Sequence, residues 1–275
     1  MNQALQIGPL SLPYPVLLTL IAIALGGFVA HRLARASGTE VEPTLTYMLL
    51  VGVFAARLAY VLRWQDQYFD LPLSILNIRD GGWEPAAGVV VAMLFGLQRA
   101  RRQAGLRKPV LAAAFTTGTV LLLGGIATFL VASSAARLPP LSLSSLDGRS
   151  VSLAEFDGKP TVVNLWATWC PPCRREMPAL QQAQAANPDV NFVFVNQGED
   201  SQAIAAFFDR QGLALRNVLV DPQNSVGAAL GHGGLPTTLF FDTNGRLADT
   251  RVGELSQATL AQRLARIRAA SPPTR

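Results

Sequence analysis

The sequence predicts an N-terminal all-α membrane domain of about four helices, followed by an α/β domain with a mixed sheet. Half of the 275 residues are apolar and only 15% are charged, whereas charged residues make up about a quarter of a soluble domain. Long apolar stretches lie before residue 132, and strand-like and helix-like segments alternate after residue 140. The composition excludes a disordered chain. We therefore expect a membrane domain over residues 1–132, a linker over 133–140 and an α/β domain over 141–275.

Four apolar stretches in the first domain predict spanning helices over residues 12–31, 44–63, 84–98 and 109–132. A spanning helix needs about 20 mostly apolar residues, and the third stretch is shorter than that. Its length is also typical of a buried or re-entrant helix. Basic residues follow the first stretch instead of preceding it, so we expect a retained span and not a cleaved signal peptide.

The charges of the connecting loops predict the orientation in the membrane. Residues 1–137 contain 11 basic and 6 acidic side chains, so the whole excess of +5 lies in this half. The basic residues cluster in the first and third connections, at Arg32, Arg35, Arg99, Arg101, Arg102, Arg107 and Lys108. Basic loops stay in the cytoplasm, and this pattern is consistent only if the third stretch also crosses. We therefore expect a multi-pass protein of the bacterial inner membrane, with both termini and the α/β domain in the periplasm. Its partners would include lipid but no nucleic acid.

Arg57 lies inside the second predicted span. A charged residue within a span is costly and often marks a functional site. Its long side chain would also allow it to reach the outer membrane face near Arg63. The sequence leaves both interpretations open.

The α/β domain is predicted from short apolar runs that alternate with helical patterns. Pro139 and Pro140 end the linker as a short extended spacer. The Asp147-Gly148 pair predicts a hairpin between strands over residues 141–145 and 150–153. Further strands are predicted over residues 161–166, 191–195, 217–220, 237–241 and 247–252, and helices over 174–186, 203–208, 225–230 and 257–269.

Cys170 and Cys173 are the two cysteines of the chain, and they follow the strand predicted over residues 161–166. Cys170 opens a helix, where backbone N–H groups and the helix dipole favour the thiolate, so it is the predicted nucleophile. Cys173, one turn later, would resolve a mixed disulfide. A C-x-x-C pair is also half of a zinc site, but structural zinc needs four ligands, and His31 and His232 do not supply them. We expect neither a metal nor a cofactor.

Glu176 follows Cys173 by three residues and therefore lies on the same helix face. A carboxylate beside a buried thiol can accept or return its proton during exchange. The alternative is a surface glutamate close to Arg174 and Arg175. Periodicity does not decide between the two.

Residues 164–178, NLWATWCPPCRREMP, resemble the active-site signature of membrane-anchored thioredoxin-like proteins of the TlpA/ResA group, and residues 234–238, GLPTT, resemble that group's cis-proline loop. The resemblance implies a thioredoxin fold, here with an added N-terminal β-hairpin, an extracytoplasmic site and a mainly reducing role. It implies Cys170 as nucleophile, Cys173 as resolving thiol, Glu176 as acid–base helper and Pro236 as the cis-proline. We expect the substrate to dock at Trp169 and Leu235.

The N-terminal half resembles the membrane region of prolipoprotein diacylglyceryl transferase, through IGPL at residues 7–10, AARLAYV at 55–61 and IRDGGW at 78–83. That family continues with a His-Gly-Gly element. Residues 84–88 of this chain, EPAAG, contain no histidine. We therefore interpret this half as a membrane scaffold without transferase activity.

Together these features predict a membrane-anchored periplasmic thiol:disulfide oxidoreductase that reduces disulfides of extracytoplasmic proteins. Residues 1–169 contain no cysteine, so a separate membrane thiol reductase is the expected electron donor. An oxidase or isomerase of the same fold remains open, because redox potentials of this fold range over roughly −270 to −120 mV. A lipid-modifying enzyme with an accessory redox domain is the third alternative. A non-catalytic binding module would be expected to lose a cysteine, and both are present.

Overall fold

The structure is a computed structural model that describes residues 4–7, 10–69, 75–131 and 137–270. The chain divides into a helical unit, Leu12–Leu76 with Gly82–Ser133, and an α/β unit, Ser134–Arg275 with Met1–Ser11 and Asn77–Gly81. Part of the predicted linker, the predicted helix end at residue 132 and the last five residues lie outside the described residues.

The helical unit contains a helix at each of the four predicted spans. Its helices are α1 (Tyr14–Ala36), α2 (Glu42–Arg63), α3 (Gln65–Phe69), α4 (Pro85–Arg102) and α5 (Arg107–Val131). Within the described part of the chain, three helical segments are long and apolar enough to cross a membrane: Val16–Ala36, Glu42–Arg63 and Ala104–Thr128. Helix α4 is not among them. The first helix starts later than predicted, because Leu10–Pro13 forms a strand, β2, that pairs with β1 (Ala4–Ile7).

Small residues let the helices of this unit approach one another closely. Helix α1 packs against α5, and α2 packs against α4. A Cβ atom on Gly88 would lie only 2.7 Å from the carbonyl oxygen of Gly52, so this crossing requires glycine. The Thr117 hydroxyl donates to the carbonyl of Ala22 at 3.1 Å. Such contacts are typical of helices that pack within a membrane.

Arg57 is accommodated by contacts within the helical unit. Its guanidinium donates to the carbonyl of Gly82 at 2.7 Å and to that of Ile75 at 2.9 and 3.2 Å. It also lies over the rings of Tyr68 and Trp83, at 5.6 and 5.8 Å from their centroids. Carbonyl and aromatic partners thus surround the charge, an arrangement that neither interpretation of the sequence anticipated.

The α/β unit is built on a mixed seven-stranded sheet, as predicted. Its strands are β3 (Ser142–Ser145), β4 (Ser150–Ser152), β5 (Thr161–Trp166), β6 (Asn191–Gln197), β7 (Val218–Asp221), β8 (Thr237–Phe241) and β9 (Leu247–Val252). Their order is β4-β3-β7-β6-β5-β8-β9, with β5, β6 and β7 parallel and the other pairs antiparallel. The predicted hairpin is therefore present as β3–β4, which extends the sheet beyond β7.

Helices cover both faces of this sheet. They are α6 (Pro171–Ala186), α7 (Ser201–Gln211), α8 (Ser225–Leu230) and α9 (Gln257–Ala270). Every residue of β5 is buried, with Val162 in the core beneath α6, α7 and α9 and Val163 in the core on the other face. This two-sided burial explains the continuous apolar run in the sequence.

Two elements differ from the sequence expectation for local reasons. Helix α6 starts at Pro171, so that Cys170 opens it as predicted, and it includes three residues before the helical pattern over 174–186, because prolines fit the first turn of a helix. The end of the predicted linker is also not a free spacer. Arg137 forms a β-bridge with Arg246, and the Leu138 N–H donates to the Gly245 carbonyl at 3.0 Å.

Candidate active site

Cys170 lies at the N-cap of α6, directly after β5, as the sequence predicts. Cys170 and Cys173 form a disulfide with their Cα atoms 5.3 Å apart. Pro171 and Pro172 have no N–H, so the Cys173 N–H is the first backbone donor of the helix, and it points at the Cys170 sulfur at 3.3 Å. When the pair is reduced, this donor and the helix dipole would stabilise a thiolate on Cys170.

Both cysteines are buried in the structure. Cys170 is 3% exposed and Cys173 is 0% exposed, because both belong to the core cluster that contains Trp166 and Met177. The neighbouring Trp169 is the exposed residue, at 66%. The structure therefore distinguishes the two sulfur atoms by the N-cap position, and only weakly by solvent access.

Glu176 is buried on the same face of α6 as Cys173, one turn later. The Asn164 amide donates to one carboxyl oxygen at 2.9 Å, and the Leu255 N–H donates to the other at 2.9 Å. The same Asn164 amide also donates to the Thr238 hydroxyl at 2.9 Å. The alternative of a surface glutamate is thus wrong, since strands β5 and β8 and the loop after β9 enclose the carboxyl group.

Burial raises the pKa of Glu176 to about 8, since the low-dielectric core disfavours the ionised form. The hydrogen bonds from Asn164 and Leu255 act in the opposite direction, and the charges of Glu254 and Arg251 add smaller contributions of opposite sign. A carboxyl group with this pKa can both give and take a proton near neutral pH. Such a group beside a redox cysteine is a candidate for acid–base work.

Sheet topology brings the Leu235–Pro236 segment, at the start of β8, close to the end of β5, which leads to the cysteines. The Leu235–Pro236 peptide bond is cis, as the resemblance implied. Strand β8 starts directly afterwards and pairs with β5 in antiparallel register, with Thr237 opposite Leu165. The start of β8 therefore lies beside the end of β5, where the chain leads into Cys170. Leu235 is half-buried and packs on the core cluster that contains both cysteines.

One residue that the sequence analysis missed is Glu199, which follows β6. The Thr168 N–H donates to its carboxylate at 2.7 Å, the Thr168 hydroxyl donates to the other oxygen, and the Asn196 amide donates at 2.8 Å. These bonds fix the backbone two residues before Cys170. The signal that could have found it is its position, because side chains at the carboxyl ends of neighbouring parallel strands meet at one edge.

Among the residues that the structure describes, no three His, Cys, Asp or Glu side chains form a group that could hold a metal ion. The expectation that the protein needs neither metal nor cofactor stays a prediction.

Two protein families match the chain, one in each half. The Redoxin family matches residues 133–264, and the prolipoprotein diacylglyceryl transferase family matches residues 2–131. These matches confirm the resemblance stated for each half. Each covers slightly less than half of the chain.

Curated relatives of the C-terminal half are thiol-disulfide exchange proteins. The thiol-disulfide oxidoreductase ResA of Geobacillus thermodenitrificans is 35% identical over 132 residues, which are 47% of this chain and 75% of the relative. The thiol:disulfide interchange protein DsbE of Pseudomonas fluorescens biotype C is 33% identical over 132 residues, 46% of this chain and 71% of the relative. A solved structure of a secreted Mycobacterium tuberculosis disulfide oxidoreductase, homologous to E. coli DsbE, is 30% identical. It covers 46% of this chain and 95% of that protein, with a TM-score of 0.42. The identity to the two curated relatives, over more than two thirds of each, shows that the chain belongs through its α/β unit to the ResA and DsbE family of thiol-disulfide oxidoreductases.

Proposed function

We propose that this oxidoreductase is anchored in the cytoplasmic membrane and reduces disulfides of extracytoplasmic proteins through Cys170 and Cys173. The observation that carries the proposal is the buried Glu176 carboxyl, one helical turn from Cys173 and with a pKa raised to about 8. It gives the dithiol a proton acceptor and donor inside the core, where Glu176 is only 1% exposed.

The proposed reaction is a two-electron exchange. The Cys170 thiolate attacks one sulfur of the substrate disulfide, which forms a mixed disulfide and releases the other substrate sulfur as a thiolate. Glu176, as a carboxylate, takes the proton of Cys173, whose thiolate then attacks the Cys170 sulfur. This step closes the Cys170–Cys173 disulfide and releases the second substrate sulfur, so the substrate is reduced and the enzyme oxidised.

Trp169 and Leu235 are the proposed docking residues. Trp169 is a large, exposed apolar surface beside Cys170, and Leu235 precedes the buried Pro236 at the same sheet edge. The backbone of Leu235 would pair with an extended substrate segment, as in strand addition. Aromatic anchors of this kind usually contribute strongly to binding.

The direction of electron flow is tested by the reduction potential of the purified full-length chain. Equilibration with dithiothreitol and glutathione buffers, followed by thiol alkylation, measures the fraction of Cys170–Cys173 in the disulfide form. We expect a value near the roughly −270 mV of thioredoxin. A value near the roughly −120 mV of strong oxidants would replace the reducing role by an oxidising one.

The proposed topology has four spans, with both termini and the α/β unit on the periplasmic side. It is supported by the basic residues in the first and third connections and by the helix at the third stretch, α4. The test places single cysteines at Ser37, Gln103 and Ser145 in a chain without Cys170 and Cys173, and treats intact spheroplasts with a membrane-impermeant maleimide. We expect labelling at Ser145 alone, whereas a helix α4 that does not cross would change which positions are labelled.

A separate membrane thiol reductase is the proposed electron donor, because residues 1–169 offer no thiol to carry electrons across. The full-length chain in liposomes, with thioredoxin and its reductase on the basic-loop side, should keep its disulfide. Reduction without an added membrane partner would show that the helical unit conducts electrons itself.

The family match of residues 2–131 supports a second candidate function, transfer of a diacylglyceryl group to a prolipoprotein. The sequence EPAAG at residues 84–88, without a histidine, argues against it. A transfer assay with a prolipoprotein peptide separates the two functions, and we expect no lipidated product. Product that persists in the Cys170→Ser variant would establish a second activity.

A further inference from the structure

An ion pair joins the two chain segments that hold Glu176. The Arg175 guanidinium contacts one oxygen of the Glu254 carboxylate at 2.7 Å through Nη2 and at 3.0 Å through Nε. Arg175 directly precedes Glu176 on α6, and Glu254 directly precedes Leu255, whose N–H donates to the Glu176 carboxyl at 2.9 Å. The ion pair and this hydrogen bond therefore connect α6 to the loop after β9 at adjacent positions.

The pair is not an ordinary surface contact. The Glu254 side chain is only 13% exposed, although that of Arg175 is 51% exposed. An exposed ion pair contributes little, because water and salt screen it, but a partly buried charge interacts more strongly with its neighbours. The charge of the Glu254 carboxylate therefore disfavours ionisation of the buried Glu176 carboxyl.

The charged groups that face Glu176 come from three elements. Glu254, from the loop after β9, and Arg251, from β9, act on Glu176 directly. Arg175, on the same helix as Glu176, acts through its ion pair with Glu254. The Arg251 guanidinium lies 3.4 Å from the Glu254 carbonyl oxygen. From β5, the uncharged Asn164 amide donates to the carboxyl, and it also donates to the Thr238 hydroxyl of β8.

We propose that Arg175 and Glu254 are positioning residues for Glu176: the Arg175 guanidinium compensates the charge of the Glu254 carboxylate, which faces the Glu176 carboxyl beside the Leu255 N–H. The inference rests on the proposed acid–base role of Glu176. It adds residues that touch neither the substrate nor the cysteines but determine at which pH the site exchanges its proton.

Removing the charge of Arg175 and removing the charge of Glu254 should shift the titration of Glu176 in opposite directions. Without the charge of Arg175, the Glu254 carboxylate faces Glu176 uncompensated, which disfavours ionisation of Glu176 and moves its titration to higher pH. Without the charge of Glu254, the like charge is gone and the cation of Arg175 remains, so the titration moves to lower pH. A pair that only clamped the loop would give shifts of the same sign, because either variant would release the same hydrogen bond.

The experiment measures the rate at which dithiothreitol reduces the Cys170–Cys173 disulfide of the full-length chain between pH 5 and 10. Rates are compared with the unchanged chain at each pH, so that the ionisation of the reductant cancels. We expect Arg175→Gln to raise the apparent pKa of the profile, and Glu254→Gln to lower it, each by about half a unit to one unit. The double variant should lie between them, and Arg175→Lys should restore most of the normal profile.

Arg174→Gln is the matched control. Arg174 lies on the same helix, but its guanidinium stacks over the Phe207 ring at 5.8 Å from the centroid. The substitution Arg174→Gln removes one positive charge, as Arg175→Gln does, but leaves the ion pair intact. We expect its apparent pKa to lie within about 0.2 pH units of that of the unchanged chain.

Glu176→Gln separates failure of the inference from failure of the proposed function. Suppose that the pH–rate profile of Glu176→Gln shows no apparent pKa. If Arg175→Gln and Glu254→Gln then leave the apparent pKa unchanged, or shift it in the same direction, the inference is overturned and the role of Glu176 stands. If Glu176→Gln keeps the titration, the acid–base role of Glu176 is wrong, and the inference is overturned together with it.

Discussion

The two units of the molecule hold an ionisable side chain by different means. In the helical unit, Arg57 is held by carbonyl oxygens of Ile75 and Gly82 and by two aromatic rings. In the α/β unit, Glu176 lies in the core with one amide and one backbone N–H as partners, and its pKa is raised to about 8. A guanidinium stays charged in a protein, so it can only hold structure or bind an anion, whereas a carboxyl group can change its charge. A buried ionisable group therefore indicates chemistry where it can titrate near neutral pH.

The largest expected effect on disulfide exchange is that of replacing Cys173, the cysteine that Glu176 is proposed to deprotonate. In Cys173→Ser, the Cys170 thiolate still attacks a substrate disulfide but no resolving thiol follows, so turnover should cease and a mixed disulfide should accumulate. Non-reducing electrophoresis and mass spectrometry of the trapped complex measure this. Cys170→Ser is the matched control and should trap nothing. Trapping by Cys170→Ser instead would reverse the roles of the two sulfur atoms.

Glu176→Gln should slow disulfide exchange by roughly 10–100-fold, which is less than the ~10²–10⁴-fold that proton transfer by a positioned side chain typically contributes. The fold should remain, because glutamine has nearly the same shape. Stopped-flow measurement of substrate reduction between pH 6 and 9 detects the change. Unchanged rates across this range would leave Glu176 with a structural role only.

The same variant should change how stability depends on pH. The Glu176 pKa rises from the model-peptide value of 4.5 to about 8 on folding, so between these values the folded chain binds more protons than the unfolded chain. Its contribution to stability is therefore fully present below about pH 4.5 and is lost as pH rises towards 8, at about 1.4 kcal/mol per pH unit. We expect the free energy of unfolding of the α/β unit, measured with urea, to fall between pH 5 and 8. It should fall less in Glu176→Gln. Parallel pH dependence in both proteins would mean that Glu176 is ionised without penalty.

The sequence predicted the elements of the α/β unit well, because their signals are local. Strand β5 is a continuous apolar run, and the hairpin β3–β4 is marked by Asp147 and Gly148. The partners of Glu176 were not predicted, since the Leu255 N–H comes from a position 79 residues away. Such contacts depend on which strands are neighbours in the sheet, and a short sequence pattern does not predict the order of the strands. The burial of Cys170 was not predicted for the same reason, since it is caused by the surrounding core.

Glu199→Gln should have a smaller effect than Glu176→Gln. The carboxylate accepts hydrogen bonds from Thr168 and Asn196, and a glutamine would turn one donor of its own towards them. Small displacements of a reacting group slow a reaction strongly, so we expect exchange to slow by roughly 3–10-fold. Glu155→Gln is the matched control, because Glu155 also accepts a backbone N–H, from Ser152 at 3.0 Å, but in the 3₁₀ turn after β4. Equal rates for the two variants would remove Glu199 from the site.

The smallest expected effect on exchange is that of Arg57→Lys, which tests the structural side of the comparison. Lysine lacks the planar fork of arginine and cannot contact the carbonyls of Ile75 and Gly82 together, so the helical unit should lose thermal stability by a few degrees in detergent. The rate of disulfide exchange should stay within about twofold, because the carbonyl and aromatic partners of Arg57 belong to the helical unit. Arg63→Lys, which changes an exposed arginine 3.6 Å from Glu84, is the matched control and should alter neither quantity. A loss of exchange in Arg57→Lys with unchanged thermal stability would give Arg57 a functional role and show that the two units work as one.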